Sequence, residues 1–154
     1  MAIEYVLYGD TDVTAGELTE LLAEAIEADR IDGTTAFRDD MYVSVVRVSG
    51  DEATEERPGD AAGLFGFEHR VTATFRLADP PEPHNTALMV AAVLAYFDRY
   101  GDCGVLLYNG YRAVLQLLPD GVVFDSGWEQ FTANDEVAAL RGGNPARPLP
   151  QPML

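Results

Sequence analysis

The stretch Gly104–Asp125 constrains the fold more than any other part of this sequence. Two of its apolar runs flank Asn109-Gly110, and both of these residues tolerate the positive φ that a type I′ hairpin turn requires. Pro119-Asp120-Gly121 supplies a second turn before Val122-Val123-Phe124. The stretch therefore predicts a three-stranded antiparallel meander. It contains no Ser/His/Asp set, no metal-ligand spacing and no phosphate-binding loop, so we interpret it as a scaffold.

The length of 154 residues favours one domain with one core. We expect a single α+β domain over residues 1–141 and a proline-rich flexible tail over residues 142–154. No apolar run approaches the roughly 20 residues that a membrane span needs. The first residues lack the basic and apolar regions of a signal peptide, and Cys103 is the only cysteine. We therefore expect a cytoplasmic protein without an internal disulfide.

The formal net charge is −16, and all ten basic residues are arginine. Such a surface repels nucleic-acid phosphates and anionic lipids, so we expect neither a nucleic acid nor a membrane as a partner. It attracts cationic partners and accelerates their association. The alternative is that the acidity only keeps the protein soluble.

The N-terminal region predicts a strand at residues 2–9 and a helix from Thr14 to about Ala28. Thr14 and Glu17 have the spacing of a capping box. The apolar stripe of the helix consists of Leu18, Leu21, Leu22, Ala25 and Ile26. Acidic residues occupy the opposite face and the residues just beyond it, and we call them the acidic ridge: Glu17, Glu20, Glu24, Glu27, Asp29 and Asp32. The ridge is either a docking surface for a basic partner or a solvated helix face.

Three further strands are indicated between residues 34 and 77. Residues 34–38 and 41–49 flank an Asp39-Asp40 turn, and the second run is β-branched on both faces, which indicates an interior strand. Residues 65–77 alternate strictly, with His69 in register with the buried set. We interpret His69 as a half-buried core residue. The acidic loop Asp51–Asp60 between these strands lacks the register of a calcium loop, so we assign no metal site.

The second helix is predicted over Ala87–Arg99, with Asn85 or Thr86 as its cap and Gly101 at its C-terminal end. It is apolar almost all round, so we expect it to be buried. A short helix follows over residues 136–140. Trp128 is expected to pack on the sheet edge, or alternatively to bind a partner. The elements predict an α+β fold with a mostly antiparallel sheet of about six to seven strands, two main helices on one face and a short C-terminal helix.

Several of these motifs together resemble the Sit-type immunity family, bacterial proteins associated with contact-dependent polymorphic toxins. The resemblance covers most of residues 1–141 and rests on the Ile3-Glu4-Tyr5 strand before a leucine-rich acidic helix, Phe65-Gly66-Phe67, Gly101-Asp102-Cys103, Val105–Gly110 and Val122–Asp125. It implies a cytoplasmic protein that binds and neutralises a cognate toxin. It carries over no catalytic residue and no cofactor.

The leading hypothesis is thus a non-enzymatic immunity protein, without cofactor or metal, that binds a cognate toxin protein through the acidic ridge and Trp128. The alternative is a small-molecule-binding domain or an enzyme with His69, Tyr108, Tyr111 and Asp125 around a pocket. A third possibility is a domain that self-associates through an exposed strand edge. The sequence leaves the oligomeric state open.

Overall fold

The structure is a computed structural model, and it describes residues 2–47, 67, 70–101 and 103–151. The predicted acidic loop Asp51–Asp60 lies outside the described residues, and so do Phe65, Gly66, His69 and Asp102. The predictions that concern them stay predictions.

The described residues form one sheet of nine strands with four helices. The strands are β1 Ala2–Gly9, β2 Arg30–Asp32, β3 Thr35–Arg38, β4 Met41–Arg47, β5 Val71–Ala78, β6 Gly104–Tyr108, β7 Arg112–Leu118, β8 Gly121–Asp125 and β9 Ala146–Arg147. The helices are α1 Ala15–Ala25, α2 Pro83–Tyr100, α3 Glu129–Thr132 and α4 Asp135–Arg141. The sheet order is β2-β3-β4-β5-β1-β6-β7-β8-β9.

The α+β class and the mostly antiparallel sheet are confirmed, since β8–β9 is the one parallel pair among the described strands. The predicted number of strands was too low. The missing strands are β2 and β9, which have three and two residues and are too short to show a period in the sequence. The helix count was also too low, because α3 is a single turn.

The predicted meander is present as β6–β7–β8. Asn109 and Gly110 have φ values of 49° and 78°, as the predicted turn requires. The Asn109 amide N–H donates to the Glu4 carbonyl at 2.7 Å, and the Asn109 Oδ1 accepts from the Glu4 amide at 3.0 Å. The hairpin tip is thereby fixed to the start of β1.

The first helix follows the predicted cap, because the Thr14 hydroxyl accepts from the Glu17 amide at 3.1 Å. The helix ends at Ala25, three residues before the predicted end, and Glu27 already has a φ of 57°. Its buried face consists of Leu18, Thr19, Leu22, Ala23 and Ile26. Leu21 and Ala25 of the predicted stripe are only partly buried.

The second helix begins at Pro83, four residues before the predicted start, so the predicted caps Asn85 and Thr86 lie inside it. Proline suits this position because its missing N–H would have no helical partner there. Asn85 is buried, and its side chain donates to the Asp39 carbonyl at 3.1 Å and accepts from Arg38 Nε at 3.3 Å. The predicted end is confirmed, since Gly101 has a φ of 68°.

The main core lies between the helices and one face of the sheet. A smaller apolar patch occupies the other face of β6–β8. The region after Gly142, which the sequence predicts to be a flexible tail, contributes to this second patch: β9 pairs with β8, and Leu149 is buried. The structure therefore attaches residues 146–149 to the domain.

Gly9, the last residue of β1, packs against Tyr96 of α2. A Cβ atom at position 9 would lie 2.1 Å from the Tyr96 hydroxyl oxygen and 2.8 Å from the adjacent ring carbon. Tyr96 is fully buried, and its hydroxyl donates to Thr11 Oγ1 at 2.9 Å. Glycine at position 9 thus lets the helix approach the central strand.

We predict that Gly9→Ala lowers the free energy of unfolding by about 1–3 kcal/mol, because the added methyl group overpacks a buried site. The matched control is Gly16→Ala on the exposed side of α1, where an added Cβ meets nothing within 4 Å. That change is expected to leave stability unchanged or to raise it slightly. Urea unfolding of both variants measures the difference, and equal midpoints would contradict the prediction.

Candidate protein-binding surface

The acidic ridge is exposed along its whole length. Glu17, Glu20 and Glu24 lie on the face of α1 opposite its buried side, and they make no ion pair with any described residue. Their charges therefore face the solvent and are not neutralised by a described neighbour. This confirms the predicted placement of the three side chains on one exposed helix face.

The other end of the ridge is joined to the sheet. Glu27 Oε1 lies 3.7 Å from Arg38 Nη1, which also donates to the Glu27 carbonyl at 3.2 Å. The Asp29 amide donates to the Phe37 carbonyl at 2.7 Å, and Asp32 belongs to the edge strand β2. One of the six carboxylates is thus partly neutralised.

Trp128 belongs to an aromatic cluster that we define as Tyr5, Tyr108, Tyr111, Trp128 and Phe131. The centroids of the Trp128 and Tyr108 rings are 4.6 Å apart, and Tyr108 and Tyr111 are 6.0 Å apart. The Trp128 indole N–H donates to the Tyr5 hydroxyl at 3.3 Å. The cluster runs from the buried Tyr5 to the exposed Tyr111, with Trp128 half-buried between them.

Arg112 supports the cluster from the side of β7. Its guanidinium carbon lies 5.5 Å from the Trp128 ring, and Nη2 donates to Asp125 Oδ2 at 2.6 Å. Asp125 is 3% exposed, so the pair is buried on the carboxylate side. Sequence reasoning missed Arg112. In the structure Arg112 pairs with Tyr108 across the hairpin, one position beyond the partner that a two-residue Asn109-Gly110 turn gives, so the sequence carried no signal for it.

The structure brings together only some of the residues that the alternative pocket hypothesis named. Tyr108 and Tyr111 are in contact, as the two-residue turn predicts. The Asp125 carboxylate is already engaged, since Oδ2 binds Arg112 and Oδ1 accepts from the Leu149 amide at 3.2 Å. His69 lies outside the described residues. In the structure, Asp125 therefore holds Arg112 and the Leu149 amide, and Tyr108 and Tyr111 belong to the aromatic cluster.

A cleft of 270 Å³ lies between the end of β8 and the two short helices. Its walls are mainly apolar, and they also include Asp125, Ser126 and Arg141. Arg141 donates to the Asn144 carbonyl at 2.6 Å, so its guanidinium is held by the chain itself. Within the described residues, no group of three or more His, Cys, Asp or Glu side chains could hold a metal ion.

The two candidate surfaces lie on different parts of the sheet. The contacts of α1 are with β3, β4 and α2, whereas Trp128 contacts residues of β1, β6 and β7. Aromatic side chains such as Trp128 are enriched at protein–protein interfaces, whereas an exposed row of carboxylates is also the ordinary solvent face of an amphipathic helix. No helix in the described ranges has the length and apolar character needed to cross a membrane.

The sequence of the chain was compared with those of known families. The family model described as SitI3-like matches residues 3–135, which is most of the chain. The protein therefore belongs to the SitI3-like family, and the resemblance to Sit-type immunity proteins is confirmed. Searches of curated proteins and of solved structures gave no match.

The burial of Tyr5 predicts that the stability of the fold depends on pH. Burial raises the pKa of the Tyr5 hydroxyl well above its usual value, and the nearby Tyr108 adds to this, while the hydrogen bond from Trp128 opposes it. The folded state therefore holds this proton more tightly than the unfolded chain does. The stabilising effect is complete below the unfolded pKa of about 10 and is lost as the pH rises above it.

We expect the free energy of unfolding to fall between pH 9 and pH 11, and the fall to be smaller in Tyr5→Phe. Guanidinium unfolding across this range measures the slope for both proteins. Tyr5→Phe also removes the hydrogen bond from Trp128. This loss lowers stability by the same amount at each pH, so it does not change the slope. Parallel slopes in the two proteins would show that Tyr5 does not cause the dependence.

Proposed function

We propose that the protein is a cytoplasmic, non-enzymatic immunity protein that binds and neutralises a cognate toxin through its acidic surface. The observation that carries the proposal is membership of the SitI3-like family over residues 3–135, which suggests an immunity protein. The proposal assigns the acidic ridge and Trp128 to the interface and requires no cofactor. The acidic surface implies that the toxin is a basic protein.

The distribution of charge supports a basic partner. Among the described residues, four arginines form ion pairs, through Arg38–Glu27, Arg47–Asp12, Arg76–Glu4 and Arg112–Asp125. Glu17, Glu20 and Glu24 have no such pairing among the described residues. A field of this sign accelerates the encounter with a basic partner and disfavours an acidic one.

The aromatic cluster supplies the second part of the interface. Tyr and Trp are common among residues that contribute most to protein binding, because they bury a large area at a low cost in conformational entropy. The contacts of Trp128 with Tyr5, Tyr108 and Arg112 hold it in place before binding. In this proposal, the ridge governs the association rate and the cluster governs the dissociation rate.

Charge reversal of Glu17, Glu20 and Glu24 to lysine is expected to slow association with the toxin about tenfold or more at low salt, because steering is lost. The toxin to use is the product of the neighbouring gene, immobilised for surface plasmon resonance at two salt concentrations. Growth rescue on co-expression gives the cellular readout.

The matched control reverses Asp79, Asp98 and Asp120, which are also exposed and change the net charge equally. A smaller effect of the control shows that the position of the charge matters. Equal slowing by both variants would remove the ridge from the interface and leave only the overall charge. The absence of any complex with the wild-type protein would refute the proposed function.

A further inference from the structure

The last described residues form a strap across the end of the sheet, which we define as residues 144–151. The Phe124 amide donates to the Pro145 carbonyl at 3.0 Å, and the Ser126 amide donates to the Arg147 carbonyl at 3.1 Å. The strap thus occupies the hydrogen-bonding edge of β8, which would otherwise be open to another strand. Its residues lie beyond the part of the chain that matches the family, whereas β8 lies within it.

Two side-chain contacts extend this attachment beyond β9. The Gln151 side-chain oxygen accepts from the Ala113 amide at 2.7 Å, and its nitrogen donates to the Ala113 carbonyl at 3.1 Å. The amide of Gln151 therefore binds β7 as the backbone of a neighbouring strand would. The Leu149 amide is bound in turn by the Asp125 carboxylate.

Leu149 fills the apolar patch on the face of the sheet opposite the main core. It is 6% exposed and packs with Val105, Leu107, Ala113 and Val123. The site that the strap occupies thus has the two parts of a strand-binding site, a free backbone edge and a pocket for one apolar side chain.

The outer side of the strap offers few groups for further pairing. Residues 145, 147 and 149 direct their hydrogen-bonding groups toward β8 and Asp125, so residues 146, 148 and 150 direct theirs away. Positions 148 and 150 are proline and have no N–H to donate. The strap therefore protects the edge against non-specific strand addition while it is bound.

The charge of the strap is opposite to that of the domain. No acidic residue follows Glu136, and the one charged side chain of the strap is that of Arg147. The remaining sequence holds all 26 acidic residues. A basic, extended segment with one leucine therefore occupies the site in cis, and its chemistry is that of a segment from a basic partner.

The attachment is also small. The strap pairs through a strand of two residues whose side chains are exposed, and Leu149 is its one buried apolar side chain among the described residues. This contact is slight beside the area of a standard protein–protein interface. A partner that also engages other surfaces of the domain can therefore replace it.

We propose that the edge of β8 and the adjacent apolar patch form a strand-acceptor site for an extended basic segment of the toxin, and that the strap holds this site until the toxin displaces it. The proposal rests on the proposed function, because it names a surface at which the toxin binds. The strap keeps the edge from aggregating in the free protein.

The first experiment tests the acceptor site without the toxin. The probe is a fluorescent synthetic peptide of residues 144–151, and the receptor is the full chain with the strap loosened by Leu149→Asp and Gln151→Ala. We expect saturable binding by fluorescence anisotropy, and binding to the wild-type chain at least about tenfold weaker because the cis strap competes at high effective concentration. The control peptide carries Leu149→Asp and is expected not to bind.

Two results overturn the proposal, provided that the loosened variant still unfolds cooperatively. One is equal binding of the two peptides, and the other is no binding of either. A second variant avoids dependence on the folding of the loosened chain. It carries Ser126→Cys and Pro148→Cys in a Cys103→Ser background. Each of the two positions follows the parallel Asp125–Arg147 pair by one residue, so they are the next to face each other. A count of free thiols confirms the disulfide that locks the strap.

The locked variant is then measured against the toxin. Oxidised protein is expected to bind at least about tenfold more weakly than the reduced form, and reductant is expected to leave wild-type binding unchanged. Equal binding of the oxidised and reduced forms overturns the acceptor site, and the proposed function stands. Failure of the wild-type chain to bind the toxin overturns both.

Discussion

The position of β1 is the constraint on which the rest of the structure depends. It pairs with β5 along one side and with β6 along the other, so it joins the β2–β5 half of the sheet to the β6–β9 half. Its inward residues Ile3, Tyr5 and Leu7 lie at the centre of the main core. Because its partner strands lie far away in sequence, these ladders form only when most of the chain is in place. Gly9 then sets how closely α2 approaches the sheet.

The two halves of the sheet carry different surfaces. The half with β3 and β4 supports α1 and thereby displays the acidic ridge. The other half carries the aromatic cluster and the strap, and its hairpin tip is bonded to Glu4 at the start of β1. Tyr5 links β1 to the cluster, since its hydroxyl accepts the indole N–H of Trp128. The strand that holds the fold together therefore also orients the aromatic part of the proposed interface.

The ridge and the strap carry charge of opposite sign on different halves of the sheet. Residues 2–136 hold the exposed carboxylates of the ridge, and the strap brings Arg147 to the edge of β8. In the proposed mechanism, the strap makes binding selective because a competitor must match its backbone pairing with β8 and its leucine. In the proposed association with the toxin, steering by the ridge and competition with the strap act at different stages.

Local signals in the sequence were sufficient for the elements that local chemistry defines. Asn109-Gly110 determined the hairpin, Thr14 with Glu17 determined the start of α1, and the alternation of Val71, Ala73, Phe75 and Leu77 determined the inward face of β5. The helical spacing of Glu17, Glu20 and Glu24 likewise identified them as residues of one exposed face of α1. Only the tertiary structure decided that β1 lies in the middle of the sheet, that Asn85 is buried inside α2 rather than capping it, that Arg112 pairs with Asp125 under Trp128, and that the proline-rich end covers β8. Each of these depends on contacts between residues distant in sequence, whose energies become available only when the chain brings a buried group and its partner together.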